Sequence, residues 1–536
     1  MSLVTARPVL TRLAASLLLF ASMVFVDVPS AQAQVTALKQ SIAESAAKDP
    51  ALAEFYKSRG YKPLWTSKSD AQRRRAFLKA LGTAADHGLP VNRYDADQLA
   101  NLFRSAKSAR DMGRVEVEAS KMFLQFAQDL QTGAVNPARV DSGIKRKPPR
   151  RDRLAQMIAF SKSSPRGYLK NLTPKSAEYT RLMKEKMRLE RVLGNGGWGP
   201  TVGAKALKPG QSGAQVVALR NRLIAMGYMK RSASQAYDAE LQKAVQLFQL
   251  DHGLATDGVA GGGTLAEVNE PVEKRLSQVI VAMERERWML PERGRRHVLV
   301  NITDYHAQII DNGKVTFKTR SVVGKNDEDR RTPEFSDVME FMVINPTWNV
   351  PRSIATKEYL PLLKRNPNAV SHLRLVDNRG RTVSRGSVNF SQYNEKTFPF
   401  NMKEPPSQGN ALGLVKFMFP NVHNIYLHDT PSKSLFGRET RAFSHGCVRL
   451  SDPFDFAYAL LARQEKDPVG YFKSRLNTGK ETRVDLVEPV PVHIIYRTAV
   501  TQAKGRTQFR RDVYGRDAKI FNELRKGGVA LRAVQG

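Results

Sequence analysis

Cys447 is the sole cysteine of the 536-residue chain, and it stands in FSHGCVRL (Phe443 to Leu450), directly after Gly446. Three of the nine histidines, His423, His428 and His445, lie at or shortly before it. A free cysteine is ordinarily a small buried hydrophobe; these neighbours point instead to a nucleophile. A thiol attacks as thiolate, so it needs a base to take its proton, positive charge to favour ionisation and donors for an oxyanion. His428 can be the base, Arg449 supplies fixed charge, and the N–H groups of Gly446 and Cys447, with His445, can form the oxyanion hole. The chemistry is acyl transfer through a thioester. The rival is a zinc site of His428, His445 and Cys447, whose spacing is unfamiliar and whose fourth ligand would have to be an Asp or Glu.

The elements that must position these groups are short strands. In NIYLHDT, alternation sends Ile425 and Leu427 to a core and Tyr426 and His428 to the accessible face. In SHGCVRL, His445, Cys447 and Arg449 share a face if the segment is extended, and Gly446 lets the backbone approach a ligand closely. Asp452-Pro453 then reads as a helix start. Longer β-branched runs surround these motifs from about Val298: HVLVNITDYHAQII, KVTFKTRSVVG, VMEFMVINPTWNV and PVHIIYRTAV. The expected fold is α+β and multidomain, with this β-rich domain over residues 273–500. A polar, basic segment at about 352–406 interrupts its strands and is expected to be a lid.

The chain upstream is helical. Residues 34–200 carry apolar spacing such as Met122, Phe123, Phe126 and Leu130, punctuated by FYKSRGYKPLW and DHGLPVNRY. GNGGWGP (Gly194 to Pro200) reads as a linker. A small module at 205–270 follows. Val216, Leu219, Leu223 and Met226 line one helix that stops at Gly227; Leu241, Ala244, Val245 and Phe248 line a second, closed by Gly253. Residues 501–536 form a basic tail expected to pack only in part.

Residues 1–33 have the pattern of a cleavable signal peptide: Arg7 and Arg12, the apolar run Leu13 to Val26, then Ala31-Gln32-Ala33. That run is too short to span a bilayer, where about 20 residues are needed. With one cysteine no internal disulfide forms. The excess of 85 Lys and Arg over 51 Asp and Glu gives a net charge of +34 and an attraction for polyanions. An exported chain seldom meets nucleic acid, so anionic wall polymer or lipid headgroups are the better partners.

YLHDTPSKSLF and RAFSHGCVRLSDP resemble the YkuD-type L,D-transpeptidases, in particular the large YcbB-like subgroup. The Ser-His-Gly-Cys-Val-Arg core and the nineteen-residue separation of His428 from Cys447 both fit. NPTWNVP, GNALGLVKFMFPN, QFRRDVYGRD and the two N-terminal motifs resemble the subgroup as well. GQSGAQVVALRNRLIAMGY and the residues up to Asn269 resemble a peptidoglycan-binding domain, with Arg220 where glutamine is usual. The resemblance implies a periplasmic enzyme that attacks a tetrapeptide stem at its third residue, releases D-alanine and forms 3→3 cross-links. It also implies Tyr426, Trp348, Asn410 and Ser444 as substrate contacts, peptidoglycan stems and glycan as partners, no metal or organic cofactor, and a monomer. Hydrolysis of the thioester, as in an L,D-carboxypeptidase or an enzyme detaching wall-linked protein, is one alternative. A non-catalytic wall-binding scaffold is the other.

Overall fold

The computed structural model describes residues 30–289 and 292–535. The expected leader lies, up to residue 29, outside the described residues. Among the described residues no helix is long and apolar enough to cross a membrane.

The N-terminal region is helical from Ser30–Ala46 to Ala177–Gly194. Its first core gathers Phe55, Trp65, Phe77, Phe123, Phe126, Leu130 and Phe160, with Met122 half-buried at the margin. One carboxylate organises it. Glu116, buried on the helix Ala109–Thr132, accepts the backbone N–H groups of Leu64, Trp65 and Thr66 and the Tyr56 hydroxyl at 2.9 Å. FYKSRGYKPLW is thus a turn wrapped around a buried acceptor, which satisfies backbone donors that helices leave unpaired. DHGLPVNRY serves as a docking turn: Arg93 and Tyr94 both reach Asp129, and His87 Nδ1 lies 3.0 Å from the Tyr179 hydroxyl.

Helices Ala214–Ala225, Ala239–His252 and Gly262–Asn269 form the small module around Val216, Leu219, Leu223, Leu241, Val245 and Phe248. Met226 packs only partly against this core. Arg220, fully buried, is held at one end of its guanidinium by Asp238 at 2.7 Å and the Ala236 carbonyl at 2.7 Å, while its Nε has no partner.

The β-rich domain runs through β1 (Arg296–Asn301), β2 (His306–Asp311), β3 (Lys314–Gly324) and β4 (Phe335–Ile344). It continues with β5 (Trp348–Asn349), β6 (Arg374–Val376), β7 (Asn401–Glu404) and β8 (Val415–Met418). β9 (Leu427–His428), β10 (Ala442–Ser444), β11 (Val448–Leu450) and β12 (Thr482–Ile495) complete it. The main sheet is ordered β10-β3-β11-β9-β8-β4-β12-β1-β2, and β2 also pairs with β3, so the ladder returns to its start. β3 makes the closure possible by pairing with β2 along its first half and with β11 and β10 at its end. The core of Val300, Met342, Phe417, Leu427 and Val448 is capped by the helices Pro453–Leu461 and Pro468–Leu476 through Phe456 and Phe472.

Three expectations change. HVLVNITDYHAQII is a hairpin, turned at Tyr305 with φ 53°. NIYLHDT supplies only two strand residues. Asn421 takes over the backbone before them, donating to the carbonyls of Phe419 and Ile425 and accepting the N–H groups of His423 and Ile425. The segment at 352–406 is not merely polar: β5-β7-β6 form a second sheet over an apolar core of Trp348, Leu360, Leu363, Phe390, Phe398 and Met402.

The C-terminal residues were expected to pack only in part, and they are integral instead. β13 (Ala499–Val500), β14 (Gln508–Phe509) and the helix Arg516–Lys526 bury Phe509, Arg516, Asp517, Ile520 and Leu524. Their partner is the helix Val272–Arg287, which shares a core with Tyr179, Leu182 and Leu189 of the N-terminal region. Basic composition misled because these arginines are paired with acids far away in sequence.

Candidate active site

β9 and β11 are parallel neighbours, with Leu427 opposite Val448 and His428 opposite Arg449. That register sets Tyr426 beside Cys447 and puts Tyr426, His428, Cys447 and Arg449 on one face. Tyr426 lies beside the thiol and favours its ionisation, and Trp348 acts on the Tyr426 hydroxyl in turn. The thiol donates to the Asn424 carbonyl at 3.5 Å. Tyr426 packs against both the main core and the core of the inserted segment.

The loop carrying Cys447 is held from both sides. Ser444 donates to the Cys447 carbonyl and accepts the Gly446 N–H at 3.1 Å, while Thr332 donates to the Gly446 carbonyl at 2.7 Å. Gly446 has φ 116°, a conformation that favours glycine, and a Cβ there would also press on Ile425 Cδ1 at 3.1 Å. At the other strand, His428 Nδ1 lies against the Asp429 carbonyl, and the ring also meets the carbonyl of Leu412. Asp429 is fixed by Lys433 at 2.6 Å and the Leu414 N–H at 2.9 Å. Gly413, at φ 62°, allows this approach, for a Cβ there would stand 2.3 Å from Asp429 Cγ.

Burial governs the ionisation. Desolvation pushes the Cys447 thiol up to about 11, against smaller opposing effects of Tyr426 and Arg449. Desolvation also holds His428 down at about 3, assisted by the Arg449 charge. The resting pair is therefore neutral thiol and neutral imidazole. Arg449 has no acidic partner among the described residues, and its Nε is buried without a hydrogen bond.

Residues 295–484 match the family described as "L,D-transpeptidase catalytic domain" (YkuD), residues 212–267 a "Putative peptidoglycan binding domain", and residues 50–185 a scaffold domain. The β-rich domain is a YkuD-family L,D-transpeptidase domain. A curated relative from Haemophilus influenzae, called "Putative L,D-transpeptidase", is 33% identical over 229 residues, 42% of this chain and 45% of its own. The N-acetylmuramoyl-L-alanine amidase CwlL of Bacillus licheniformis is 45% identical over 60 residues, 11% of this chain and 17% of its own. The chain thus spans less than half the length of either relative. The solved L,D-transpeptidase of Xylanimonas cellulosilytica aligns over 55% of this chain and 98% of its own at 15% identity, with a TM-score of 0.18 that carries no argument.

Within the transpeptidase domain, Cys447, Tyr426, Arg449 and His428 come together as the alternation requires. Others do not. Asn410, expected to touch substrate, is 0% exposed; both of its N–H groups go to the Glu404 and Pro405 carbonyls and its oxygen accepts the Leu412 N–H, so it is turned into its own loop. Ser444 is buried and spent on the loop backbone. Gly446 N–H, assigned to the oxyanion hole, is already donated to Ser444. Trp348 is buried and reaches the site through Tyr426. His445 turns outward to Glu358 of the insertion at 2.8 Å, and Arg330 holds the same carboxylate oxygen at 3.0 Å. Among the described residues no group of three His, Cys, Asp or Glu could hold a metal. His423 packs on Phe335 instead.

Sequence reading missed Glu358, Arg330, Thr332 and Tyr514. Glu358 sits in a single π-helical turn, Ala355–Tyr359, a geometry often found at functional sites. Tyr514, from the C-terminal segment, donates to the Gly324 carbonyl and accepts the Thr332 N–H, supporting the residue that supports Gly446. Only the quoted tail motif hinted at it.

Proposed function

We propose that the chain is a periplasmic L,D-transpeptidase of the YcbB-like subgroup that forms 3→3 cross-links in peptidoglycan through a thioester on Cys447. The observation that carries this reading is one thiol sharing a strand face with Tyr426, His428 and Arg449 inside a matched L,D-transpeptidase domain. The sulfur attacks the carbonyl of the third stem residue as its proton passes to His428. Burial disfavours both the thiolate and the imidazolium, so proton transfer accompanies attack. The Asp429 carbonyl holds the Nδ1 side of the ring, so the proton is carried on Nε2 and the imidazolium keeps its Nδ1–H on that carbonyl. The oxyanion is met by the Cys447 N–H and the Tyr426 hydroxyl, whose proton burial keeps in place. The carbon–nitrogen bond to D-alanine breaks, and His428 protonates the leaving amine. The side-chain amine of a second stem attacks the thioester, gives its proton to His428, and the thiol is restored. Unpaired Arg449 suits a stem carboxylate, and the segment 352–406 acts as a lid over the stem.

Purified tetrapeptide-bearing muropeptides followed by mass spectrometry test this. Dimers with loss of D-alanine support it. Tripeptides alone would make the enzyme a carboxypeptidase, and unchanged substrate would leave a wall-binding scaffold.

A further inference from the structure

A cavity of about 620 Å³ lies far from Cys447 in sequence, where the small module meets the helix Ala177–Gly194 and the loop at 501–507. Its floor is aromatic. His252 stacks on Phe248 with ring centroids 3.8 Å apart and on Phe509 at 5.9 Å, and Arg506 lies over the Tyr228 ring at 4.4 Å. One wall is a stripe of cations: Arg181, Lys184, Arg188 and Arg191 recur at helical spacing on the face toward the cavity. Arg181 is held by Glu178 at 2.8 Å and Arg188 by both oxygens of Glu185 at 2.8 Å. Lys184 and Arg191 have no acidic partner among the described residues, so two charges remain for a ligand. Trp198 also lines the cavity and adds to its aromatic surface.

Taking the proposed peptidoglycan function as its basis, we infer that this cavity is a composite anchoring site for a carboxylate-bearing saccharide of the wall strand. Its volume falls in the range of about 300–1,000 Å³ that small-ligand sites occupy, enough for a disaccharide with part of a stem. Sugar rings lie on the aromatic floor, and Lys184 and Arg191 meet carboxylates. The module supplies only one side. The other walls come from the N-terminal helix and the C-terminal loop, so glycan affinity belongs to the junction rather than to residues 212–267 alone.

The test is calorimetric titration of the full chain carrying Cys447→Ala, which binds without turnover. The probes are a disaccharide-tetrapeptide muropeptide and neutral chitotetraose. Lys184→Glu with Arg191→Glu, both outside the module, should weaken muropeptide binding about tenfold or more, as expected for lost charge-assisted contacts, and should spare chitotetraose. Ala503→Trp, on the exposed loop, should fill the cavity and weaken both probes; circular dichroism checks each fold. Undiminished muropeptide binding in the charge variant overturns the inference, as does equal loss of both probes there or no binding by the parent. Turnover of a soluble stem by the Cys447-intact chain is measured separately, so failure of the proposed enzyme activity and failure of this site are told apart.

Discussion

At the joint around helix Val272–Arg287, Arg285 lies between Glu334 at 2.5 Å and Asp517 at 3.0 Å, and Arg287 pairs with Glu284 at 2.8 Å. Arg516 adds contacts to Glu334 at 3.2 Å and Asp141 at 3.4 Å. At the active site, buried His428 and half-buried Cys447 are desolvated as well, but no opposite charge is placed beside either. The same desolvation therefore has two outcomes. In the joint, partners hold Arg285 and Arg287 charged and cross-tie three regions of the chain, although burial still pushes Asp517 up to about 7. In the active site, thiol and imidazole stay neutral, and Arg449 is left unpaired. Buried ion pairs add little net stability but are expensive to break; a neutral pair leaves its charge separation to be stabilised when substrate arrives.

Breaking the neutral side of this contrast should have the largest effect. Cys447→Ala is expected to abolish D-alanine release while the melting transition stays near that of the parent, since one small side chain replaces another. Cys447→Ser should be nearly inactive, because a hydroxyl ionises less readily. His428→Ala should slow acylation by roughly 10²–10⁴, the range for a positioned acid–base group. The rate of burst acylation reads it. If His445→Ala produces that loss and His428→Ala does not, the base has been assigned to the wrong histidine.

The charged side should answer in stability. Arg285→Met leaves buried Asp517 and Glu334 short of a partner, and about 3 kcal/mol or more should be lost in urea unfolding. Equal stability would mean that the joint is held by its apolar core alone.

pH sharpens the comparison further. Neutral His428, with its folded pKa lowered to about 3, stabilises the fold fully above the ordinary histidine range. That contribution is lost as pH falls from about 6.5 toward 3. His428→Asn should therefore flatten part of the acid limb of stability. The thiol runs the other way: raised to about 11, it contributes below its unfolded value near 9 and loses that contribution as pH rises toward 11. Alkylation of Cys447 should accelerate up to about pH 11, and a plateau near neutrality would show a preformed thiolate. The smallest effect belongs to Glu358→Gln. The Glu358 side chain is 31% exposed, so its pairings are worth about 0–1 kcal/mol and a few-fold loss in turnover is expected.

Much of the site was legible because short strands obey a two-residue period. Ile425 and Leu427 had to enter the core, so Tyr426 and His428 had to share the opposite face, and Gly446 announced an unusual backbone; that face was expected to be accessible, but His428 is buried and Tyr426 packs against two cores. Asn410 and Ser444 were misread for a common reason: a polar side chain looks the same whether it awaits a substrate or caps its own loop. The insertion was underestimated because its apolar residues are spaced irregularly, over helices, turns and strands too short for any period to emerge.

Sequence alone determined the unique thiol, its histidine and arginine neighbours, the helical module and the change of period near Val298, since composition and spacing are local properties. Tertiary structure decided how those groups ionise, that Gly446 N–H is already occupied, and that His445 faces Glu358. It also decided that the basic C-terminal segment is a buried part of the joint. Ionisation and pairing depend on desolvation and on partners hundreds of residues away, such as Arg516 with Glu334, and only the folded chain brings those together.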